Sequence, residues 1–350
     1  MSYAKLENIR VSYDGKTNIL TGLDLSIEKG ELVSLLGSSG CGKTTTLRVI
    51  AGFIEPREGR FLLDGKDLTR VPVHKRNFGL VFQSYALFPH LTVFENVSFG
   101  LKLRKIASGE IKRRVEKMLE ITDLTALAKR YPKQMSGGQR QRAALARALV
   151  IEPELLLLDE PLSNLDAKLR LGMRVEIKAL QKKLGITTLF VTHDQEECFS
   201  ISDRVAIMNK GVIEQFDTPE MIYSRPANEF VARFVGFTNF FNLVEKSGNG
   251  RYRTADGVTI TVDEGGGGNE VSGKTIAAIR PDDIVLSSKQ PTAGNCVPGT
   301  VDVRTFLGKS YQYKLTIPGG ELVVNAPRDT VFQTGDPVFA VFHSSKIVLC

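Results

Sequence analysis

Apolar and polar positions follow two different patterns along this 350-residue chain, and the change comes near residue 237. The first part contains short, almost continuous apolar runs: ELVSLLG (31–37), ELLLLDEP (154–161) and TTLFVTHD (187–194). Such runs are typical of strands buried on both faces of a parallel sheet. Between them, residues of about 92–150 have a helical pattern. Strands that alternate with helices predict an α/β sheet that carries a helical insertion.

After residue 237 the chain changes to short runs in which apolar and polar residues alternate, separated by Gly, Pro and Asn. The runs that predict strands are GVTITVDE, KTIAAIRP, IVLSS, GTVDVRTF, SYQYKLTIP and PVFAVFHS. The glycine run at 265–268 predicts a flexible loop, because glycines resist a fixed strand. We therefore expect an α/β domain over residues 1–237, with a helical subdomain over about 85–155, and a separate all-β domain of OB type over 238–350.

The composition is that of a folded protein, with 42% apolar and 24% charged residues. A net charge of +7 over this length is typical of a solvated surface rather than of a patch for nucleic acid or membranes. The cysteines (Cys41, Cys198, Cys296 and Cys350) show no metal-ligand spacing and indicate free thiols in a reducing compartment. Without a signal-peptide core or an apolar run of about 18 residues, the sequence predicts a cytosolic protein, or one bound to a membrane only through partners.

The segment GSSGCGKTT (37–45) has the spacing G-x-x-x-x-G-K-[ST] of a phosphate-binding loop, and it lies between a predicted strand and a predicted helix. Backbone N–H groups and a helix N-terminus bind phosphate, and glycines let the backbone approach it closely. We expect Lys43 to neutralise β- and γ-phosphate oxygens and the Thr44 hydroxyl to bind Mg²⁺. The nucleotide-binding residues predicted in this loop are Gly37, Ser38, Ser39, Gly40, Cys41, Gly42, Lys43, Thr44 and Thr45.

The run LLLLDEP ends a predicted buried strand in two carboxylates, Asp159 and Glu160. Ligands of open α/β sheets bind at the carboxyl edge of the strands, where these side chains are expected. We expect Asp159 to hold Mg²⁺ through water. Glu160 is placed to polarise an attacking water as a general base.

A second serine-glycine turn opens a predicted helix at SGGQRQRAALARAL (136–149), and it completes a set of motifs that resembles the ABC-type ATPases. This segment is similar to the signature motif of that family. GSSGCGKTT, LLLLDEP, SNLDA (163–167) and VTHD (191–194) resemble its Walker A, Walker B, D-loop and H-loop, in the right order. Met135 stands where leucine is common, and Arg140 where glutamine is frequent. Neither departure removes a phosphate contact.

The resemblance implies a homodimer in which two nucleotide-binding domains close head to tail. The signature helix of one subunit then faces the γ-phosphate held by the Walker A loop of the other. A serine hydroxyl, free backbone N–H groups and a positive helix end suit an anion. The signature residues expected at the partner's nucleotide are Ser136, Gly137, Gly138 and Gln139.

The resemblance also implies roles for single residues. Tyr13 matches the aromatic that stacks on adenine, with a packed strand tyrosine as the alternative. Gln83 matches the Q-loop glutamine near Mg²⁺ and the attacking water, His193 the histidine that contacts the γ-phosphate, and Asp166 the D-loop acid at the dimer interface. The implied cofactors are ATP and Mg²⁺. The expected catalytic residues are Glu160, His193 and Gln83, and the expected metal-binding residues are Thr44, Gln83 and Asp159.

Two further segments resemble importer ATPases. Residues 84–105 are similar to the segment that receives a coupling helix from a membrane subunit, although these apolar side chains could instead form internal core. RPDDI (280–284) and the run at 299–315 resemble the C-terminal regulatory domain of the maltose-importer ATPase group. The resemblance implies a peripheral subunit at the cytoplasmic face of the bacterial inner membrane. Its implied partners are two membrane permease subunits or domains and, indirectly, a periplasmic or surface solute-binding protein.

Within this group the chain is most similar to ferric-iron importers, so ferric iron is the expected solute. Polyamine, sulfate and sugar importers are the alternatives, because subunits outside this chain select the solute. A soluble ABC ATPase linked to nucleic acid is the alternative from another class. Such a protein needs aromatic residues interleaved with Lys and Arg. The aromatics Phe306, Tyr311 and Tyr313 are few and no basic run surrounds them, so no nucleic-acid partner is expected.

Overall fold

The computed structural model describes residues 2–248, 250–263, 275–291, 294–329 and 331–350. The glycine run at 265–268, for which a flexible loop is predicted, lies outside these ranges.

The chain divides into two compact units, Met1–Pro219 and Glu220–Cys350. This division comes earlier than the domain boundary predicted at residue 237. In the second unit, Arg280 lies between the rings of Tyr223 and Phe237, with its guanidinium carbon 3.5 and 3.8 Å from the two ring centroids. Tyr223 therefore packs against the β-structure of its own unit, ahead of the boundary predicted at residue 237.

The strands and helices of the first unit alternate as expected of an α/β protein. Its strands are β1 (Ala4–Ser12), β2 (Asn18–Ile27), β3 (Leu32–Gly37), β4 (Glu58–Leu63), β5 (Lys66–Asp67), β6 (Phe78–Val81), β7 (Leu155–Asp159), β8 (Thr188–Thr192), β9 (Arg204–Asn209) and β10 (Val212–Asp217). Its α-helices are α1 (Lys43–Ala51), α2 (Val93–Leu103), α3 (Ser108–Ile121), α4 (Gly137–Leu149), α5 (Ala167–Leu184) and α6 (Gln195–Ile201). Single 3₁₀ turns occur at Val73–Lys75, Thr125–Leu127 and Pro132–Gln134.

The central sheet has the strand order β10-β9-β3-β8-β7-β6, and its pairs are parallel except for β9 and β10. The three apolar runs of the sequence form β3, β7 and β8, at the middle of this sheet. Their leucine, valine and phenylalanine side chains are buried on both faces, which explains the continuous apolar pattern. These strands end at Gly37, Asp159 and Thr192, so one edge of the sheet carries the phosphate loop, Glu160 and His193.

A second sheet in this unit was not predicted. It is antiparallel, with the order β2-β1-β4-β5. Its buried side chains share one apolar core with α1 and the parallel strands, as Leu6, Leu25 and Phe61 show.

The helical insertion between β6 and β7 is confirmed as α2, α3 and α4. A capping box fixes the start of α2: the Thr92 hydroxyl accepts from the Glu95 N–H (3.2 Å), and the Glu95 carboxylate accepts from the Thr92 N–H (2.8 Å). Val97, Val115 and Leu145 come one from each helix and are buried in a common core. The same core includes Leu156 and Phe190 of the parallel strands, so the subdomain packs directly against the sheet.

The second unit is mainly β-structure. Its α-helices are short: α7 (Pro219–Ser224) begins at the division, and α8 is Glu229–Phe234. Its strands are β11 (Asn239–Lys246), β12 (Arg251–Thr254), β13 (Thr259–Thr261), β14 (Thr275–Ile279), β15 (Ile284–Ser287), β16 (Asn295–Phe306), β17 (Ser310–Ile317), β18 (Gly320–Pro327), β19 (Pro337–Phe342) and β20 (Val348–Leu349). Further 3₁₀ turns lie at Pro281–Asp283 and Ser344–Lys346.

The strands of this unit form two antiparallel sheets, β13-β12-β11-β14-β20 and β15-β19-β16-β17-β18. Both sheets contribute to a single core, with Ile279 from the first and Leu315 and Ala340 from the second fully buried. The predicted all-β domain is therefore confirmed. None of the helices in the described parts of the chain combines the length and the apolar character that crossing a bilayer requires.

Candidate functional site

The predicted phosphate loop connects the end of β3 at Gly37 to the start of α1 at Lys43. Gly42, the residue before the helix, has φ 109°, and a Cβ there would lie 2.7 Å from the Leu20 side chain. Only glycine fits this position without strain. No side chain caps the N-terminus of α1, so its first N–H groups are directed into the loop without a side-chain acceptor. This arrangement suits an anion.

The Lys43 ammonium group lies inside the loop. It is buried, and its Nζ donates to the carbonyl oxygens of Gly37 (2.8 Å) and Ser38 (2.9 Å). The thiol of Cys41, also buried, lies 3.8 Å from the same nitrogen. Lys43 forms no ion pair with a carboxylate in the described part of the chain, so its charge is not neutralised within the loop.

Asp159 lies beside the first turn of α1. The Thr44 hydroxyl donates to its Oδ1 at 3.5 Å. Burial raises the pKa of the Asp159 carboxyl, and the neighbouring charge of Glu160 raises it further, while Arg48 and Lys43 oppose the shift. A half-buried carboxylate beside a hydroxyl is a hard oxygen donor pair of the kind that Mg²⁺ prefers. A cation there would offset the cost of burying the charge.

No cluster of three or more His, Cys, Asp or Glu side chains that could hold a metal occurs within the described ranges. Proteins commonly bind Mg²⁺ through one or two side chains together with substrate phosphates and water. Thr44 and Asp159 offer two oxygen donors of that kind.

Glu160 follows Asp159, and two other predicted site residues contact its carboxylate. His193 Nδ1 lies 3.3 Å from Oε1, and Gln83 Nε2 donates to Oε2 at 3.5 Å. Glu160 itself has φ 45°, in the left-handed region that non-glycine residues rarely adopt. The structure thus brings together three side chains that are far apart in the sequence.

A cavity of about 510 Å³ lies over the phosphate loop. Tyr13, 60% exposed, lies at its rim, with the hydroxyl 3.2 Å from Thr45 Oγ1. The tyrosine is therefore not packed in the core, which was the alternative for this residue. The residues that line the cavity are Tyr13, Ile19, Ser39, Gly40, Gly42, Lys43, Thr44, Thr45, Glu160 and His193.

The signature residues do not line this cavity. Ser136 begins α4 with a capping box, in which its Oγ accepts from the Gln139 N–H (3.3 Å) and the Gln139 side chain accepts from the Ser136 N–H (3.0 Å). The serine is exposed, and Gly137 and Gly138 form the first turn behind it. Asp166 similarly caps α5, where its Oδ1 accepts from the Leu169 N–H at 2.9 Å.

Asn164 is a site residue that was not predicted from the sequence. Its side-chain amide donates to the carbonyl oxygen of Gln83 at 2.7 Å, next to the point where Gln83 reaches Glu160. It lies inside the SNLDA motif, of which only Asp166 was expected at the site. Its place in the motif could have marked it as a site residue. Its contact could not be predicted, because the acceptor is a backbone carbonyl oxygen 81 positions away.

Both units of the chain match known protein families. Residues 20–163 match the family described as ABC transporter, and residues 277–349 match the TOBE domain. The chain is 46% identical over 318 residues to the spermidine/putrescine import ATP-binding protein PotA of Thermobifida fusca, covering 88% of this chain and 81% of that protein. It is 43% identical over 346 residues to the Fe(3+) ions import ATP-binding protein FbpC of Fusobacterium nucleatum, covering 98% and 92%.

Solved structures agree with the fold of the first unit. The cbiO1 protein of Clostridium perfringens, part of an ABC transporter complex, superposes with a TM-score of 0.60 at 32% identity, covering 63% of this chain and 90% of that one. A dimeric ATP-binding cassette in a post-hydrolysis state, bound to ADP and Pi, gives a TM-score of 0.55 at 31% identity, covering 62% and 98%.

The phosphate loop, the carboxylates at the sheet edge and the separate signature helix therefore occur in a chain that matches import ATP-binding proteins over nearly all of its length. The fold class predicted from the sequence is confirmed: an ABC-type P-loop ATPase domain of mixed α/β structure, followed by a β-rich, OB-like TOBE domain. The chain belongs to the ABC transporter family, as an ATP-binding import ATPase with a C-terminal TOBE domain.

Proposed function

We propose that this chain is the ATP-hydrolysing subunit of a bacterial ABC importer and works as a head-to-tail homodimer. ATP binding and hydrolysis at the dimer interface drive solute uptake through a membrane permease. The observation that carries the proposal is the convergence of Lys43, Thr44, Glu160 and His193 on one cavity, while the signature helix lies outside it.

Each side chain of the cavity has a defined task in this proposal. Lys43 and the N–H groups of α1 bind the phosphates, and Tyr13 stacks on the adenine at the rim. Thr44 and Asp159, with Gln83 nearby, hold Mg²⁺, which neutralises the phosphate oxygens when it is bound. Glu160 accepts the proton of the attacking water, and His193, 3.3 Å away, orients its carboxylate.

The head-to-tail dimer explains the position of the signature. The oxygen of the Ser136 hydroxyl already accepts the Gln139 N–H, so its proton is left to donate outward. An exposed hydroxyl at a positive helix end suits the γ-phosphate of a partner subunit. We assign Ser136, Gly137, Gly138 and Gln139 to that contact, and Asp166 to the same interface. The dimeric ADP-bound cassette, to which the chain is similar, supports this arrangement.

Complementation between two inactive variants tests the composite site. Lys43→Ala removes the phosphate-binding cation and Ser136→Arg blocks the signature. In a mixture of the two chains, half of the dimers are mixed, and each mixed dimer has one intact site. We expect about one quarter of the wild-type hydrolysis rate, since a symmetric dimer has two equivalent sites. As a control, Lys43→Ala mixed with Lys43→Met stays inactive. If the mixture of Lys43→Ala and Ser136→Arg hydrolyses no ATP although both variants are folded and dimeric, the head-to-tail site is refuted.

The permease contact is proposed near residues 84–105. Part of this segment is internal core, since Tyr85, Val97 and Leu101 are buried. Exposed apolar side chains nevertheless lie beside it: Phe53 and Phe82 are 50% and 41% exposed, and their ring centroids are 6.4 Å apart. An exposed aromatic pair next to Gln83 fits an apolar helix of a membrane partner.

We propose ferric iron as the solute. The relative named for Fe(3+) import matches over 98% of this chain, including its C-terminal unit, against 88% for the polyamine protein of Thermobifida fusca. Polyamines are the second candidate, because the identity to that protein is higher, 46% against 43%. Uptake of labelled ferric iron and labelled putrescine by cells that express the chain with its permease distinguishes the two. The solute is the one whose uptake is lost when Glu160→Gln replaces the wild type.

A further inference from the structure

Two consecutive residues in the loop after Gln83 have left-handed backbone conformations. Tyr85 has φ 61° and Ala86 has φ 44°. A side chain with a Cβ is disfavoured in this region, and two in succession accumulate strain. Such a conformation persists only when contacts from outside the loop hold it in place.

Arg147 supplies these contacts from α4. Its two terminal nitrogens donate to the carbonyl oxygens of Ala86 (2.8 Å) and Tyr85 (3.1 Å). The guanidinium carbon also lies 5.5 Å from the centroid of the Phe88 ring. One planar guanidinium group therefore hydrogen-bonds to both strained residues, through a fork of donors that lysine does not have.

Within the described ranges of the chain, the positive charge of Arg147 has no neighbouring carboxylate to balance it. It forms no ion pair with a carboxylate of the described residues, and burial lowers the pKa of its guanidinium. A half-buried cation without a counter-charge is unfavourable unless its hydrogen bonds compensate. Hydrogen bonds to two backbone carbonyls are therefore its main stabilisation.

The other end of the same loop is tied to the catalytic carboxylate. Asn164 donates to the Gln83 carbonyl at 2.7 Å, and the Gln83 side chain donates to Glu160 at 3.5 Å. Between the two ends, the Tyr85 hydroxyl and the Gln141 amide are buried without a hydrogen-bond partner in the described structure. Strained backbone and unpaired buried polar groups are features of an interface that can adopt a second arrangement.

We propose that Arg147 is a positioning residue that couples α4 to Gln83. Helix α4 carries Ser136 at its start and Arg147 near its end, about 16.5 Å further along the axis at about 1.5 Å per residue. A displacement of the helix when Ser136 meets the partner's nucleotide then pulls on Tyr85 and Ala86. It changes where Gln83 lies relative to Glu160. The inference rests on the proposed function, since it requires Gln83 to act in hydrolysis.

The first test compares two arginines of the same helix. Arg147→Met removes both hydrogen bonds to the loop and keeps an unbranched side chain of similar helix propensity. We expect kcat for ATP to fall about tenfold, with KM and the Kd for a fluorescent ATP analogue within about twofold of wild type. Arg142→Met is the matched control, because Arg142 pairs with Glu176 and Asp123 instead of the loop. It is expected to leave kcat within about twofold of wild type.

A double-mutant cycle separates positioning from loss of structure. If Arg147 acts only through Gln83, the variant Gln83→Ala/Arg147→Met is no slower than Gln83→Ala alone. A general loss of structure would multiply the two effects. Ala86→Gly adds a rescue, since glycine adopts the left-handed conformation without strain. In the Arg147→Met background it is expected to recover part of the lost kcat.

The outcomes distinguish the two levels of the proposal. Wild-type kcat for Arg147→Met, or multiplicative losses in the cycle, overturns the coupling role and leaves the ATPase site intact. Wild-type kcat for Gln83→Ala refutes the proposed role of Gln83 and the coupling with it. A folded Arg147→Met with reduced kcat, no further loss in the double variant and recovery by Ala86→Gly supports the inference.

Discussion

Glu160 has a strained backbone, and its carboxylate contacts two other side chains. Its φ of 45° directs the side chain from the end of β7 into the cavity, where one oxygen meets His193 and the other meets Gln83. Residues held in this way are frequent at active sites, because the surrounding contacts fix the group that reacts. A substitution that keeps the shape and removes the charge therefore tests the chemistry alone.

We expect Glu160→Gln to bind ATP as the wild type does and to lose turnover. General-base assistance contributes about 10²–10⁴ in rate, so kcat is expected to fall by a factor of that size. An ATP-bound dimer accumulates, detectable by size-exclusion chromatography. Glu152→Gln is the matched control, since Glu152 is an exposed glutamate that also has a left-handed φ, 51°. Turnover of Glu160→Gln within threefold of the control would contradict the assignment.

Asp159 is a site residue whose function opposes stability. Burial and the charge of Glu160 raise its carboxyl pKa, so ionising this carboxyl costs more in the folded chain than in the unfolded chain. We expect Asp159→Asn to raise the Tm of the nucleotide-free protein at pH 7 and to weaken the stabilisation by MgATP. Thermal unfolding with and without MgATP measures both effects.

The sign of the pH dependence follows from the raised pKa. As the pH falls toward it, the folded protein takes up the proton before the unfolded chain does, and the penalty disappears. The Tm advantage of Asp159→Asn over wild type is therefore expected to shrink at lower pH. An advantage that grows on acidification would mean that the carboxylate stabilises the fold.

Single residues could be predicted where they belong to a sequence motif for phosphate or metal binding. Residues whose side chains donate hydrogen bonds to backbone carbonyl oxygens could not be predicted. Lys43, Asp159 and Glu160 were predicted because a lysine in a glycine loop and a pair of acids at the end of a buried strand together indicate phosphate and metal binding. Asn164 and Arg147 bond to carbonyl oxygens, which every residue has, so no sequence spacing reveals their partners.

At the scale of elements, the apolar pattern predicted the buried parallel strands closely. The run at 31–37 became Leu32–Gly37, and the run at 187–194 became Thr188–Thr192. The antiparallel sheet was not predicted, although the alternating burial of β1 is typical of such a strand and β2 pairs with it directly after a short turn. The other partner of β1 is β4, about 50 residues away. Pairing over such a distance leaves no local signal.

The capping box of α2 makes a prediction of its own. Thr92→Ala removes the acceptor for the Glu95 N–H and is expected to cost about 1 kcal/mol of stability. For a unit of this size that corresponds to a Tm lower by about 2–4 °C. Thr125→Ala is the control, an exposed threonine of the same subdomain without a capping bond. Equal Tm values for the two variants in calorimetry would show that the box contributes nothing.

For the whole molecule, separate surfaces carry separate tasks. In the proposed function the cavity and the signature bind ATP, whereas the exposed ring of Phe53 lies outside the cavity lining. We expect Phe53→Ser to leave the ATPase activity of the isolated chain within twofold of wild type. It should reduce co-purification with the permease and solute uptake at least fivefold, because an apolar contact is lost. Val285→Ser, at a side chain of similar exposure in the second unit, is the control.

The separation of Ser136 from the cavity of its own chain also has a genetic meaning. In the proposed head-to-tail dimer, a folded chain with a defective signature still pairs with a normal copy and inactivates one of the two sites. If mutant and normal copies are made in equal amounts, random pairing leaves only about one quarter of the dimers fully intact. An allele altered at Ser136 would then be dominant over the normal gene in a partial diploid, whereas an allele that prevents folding would be recessive.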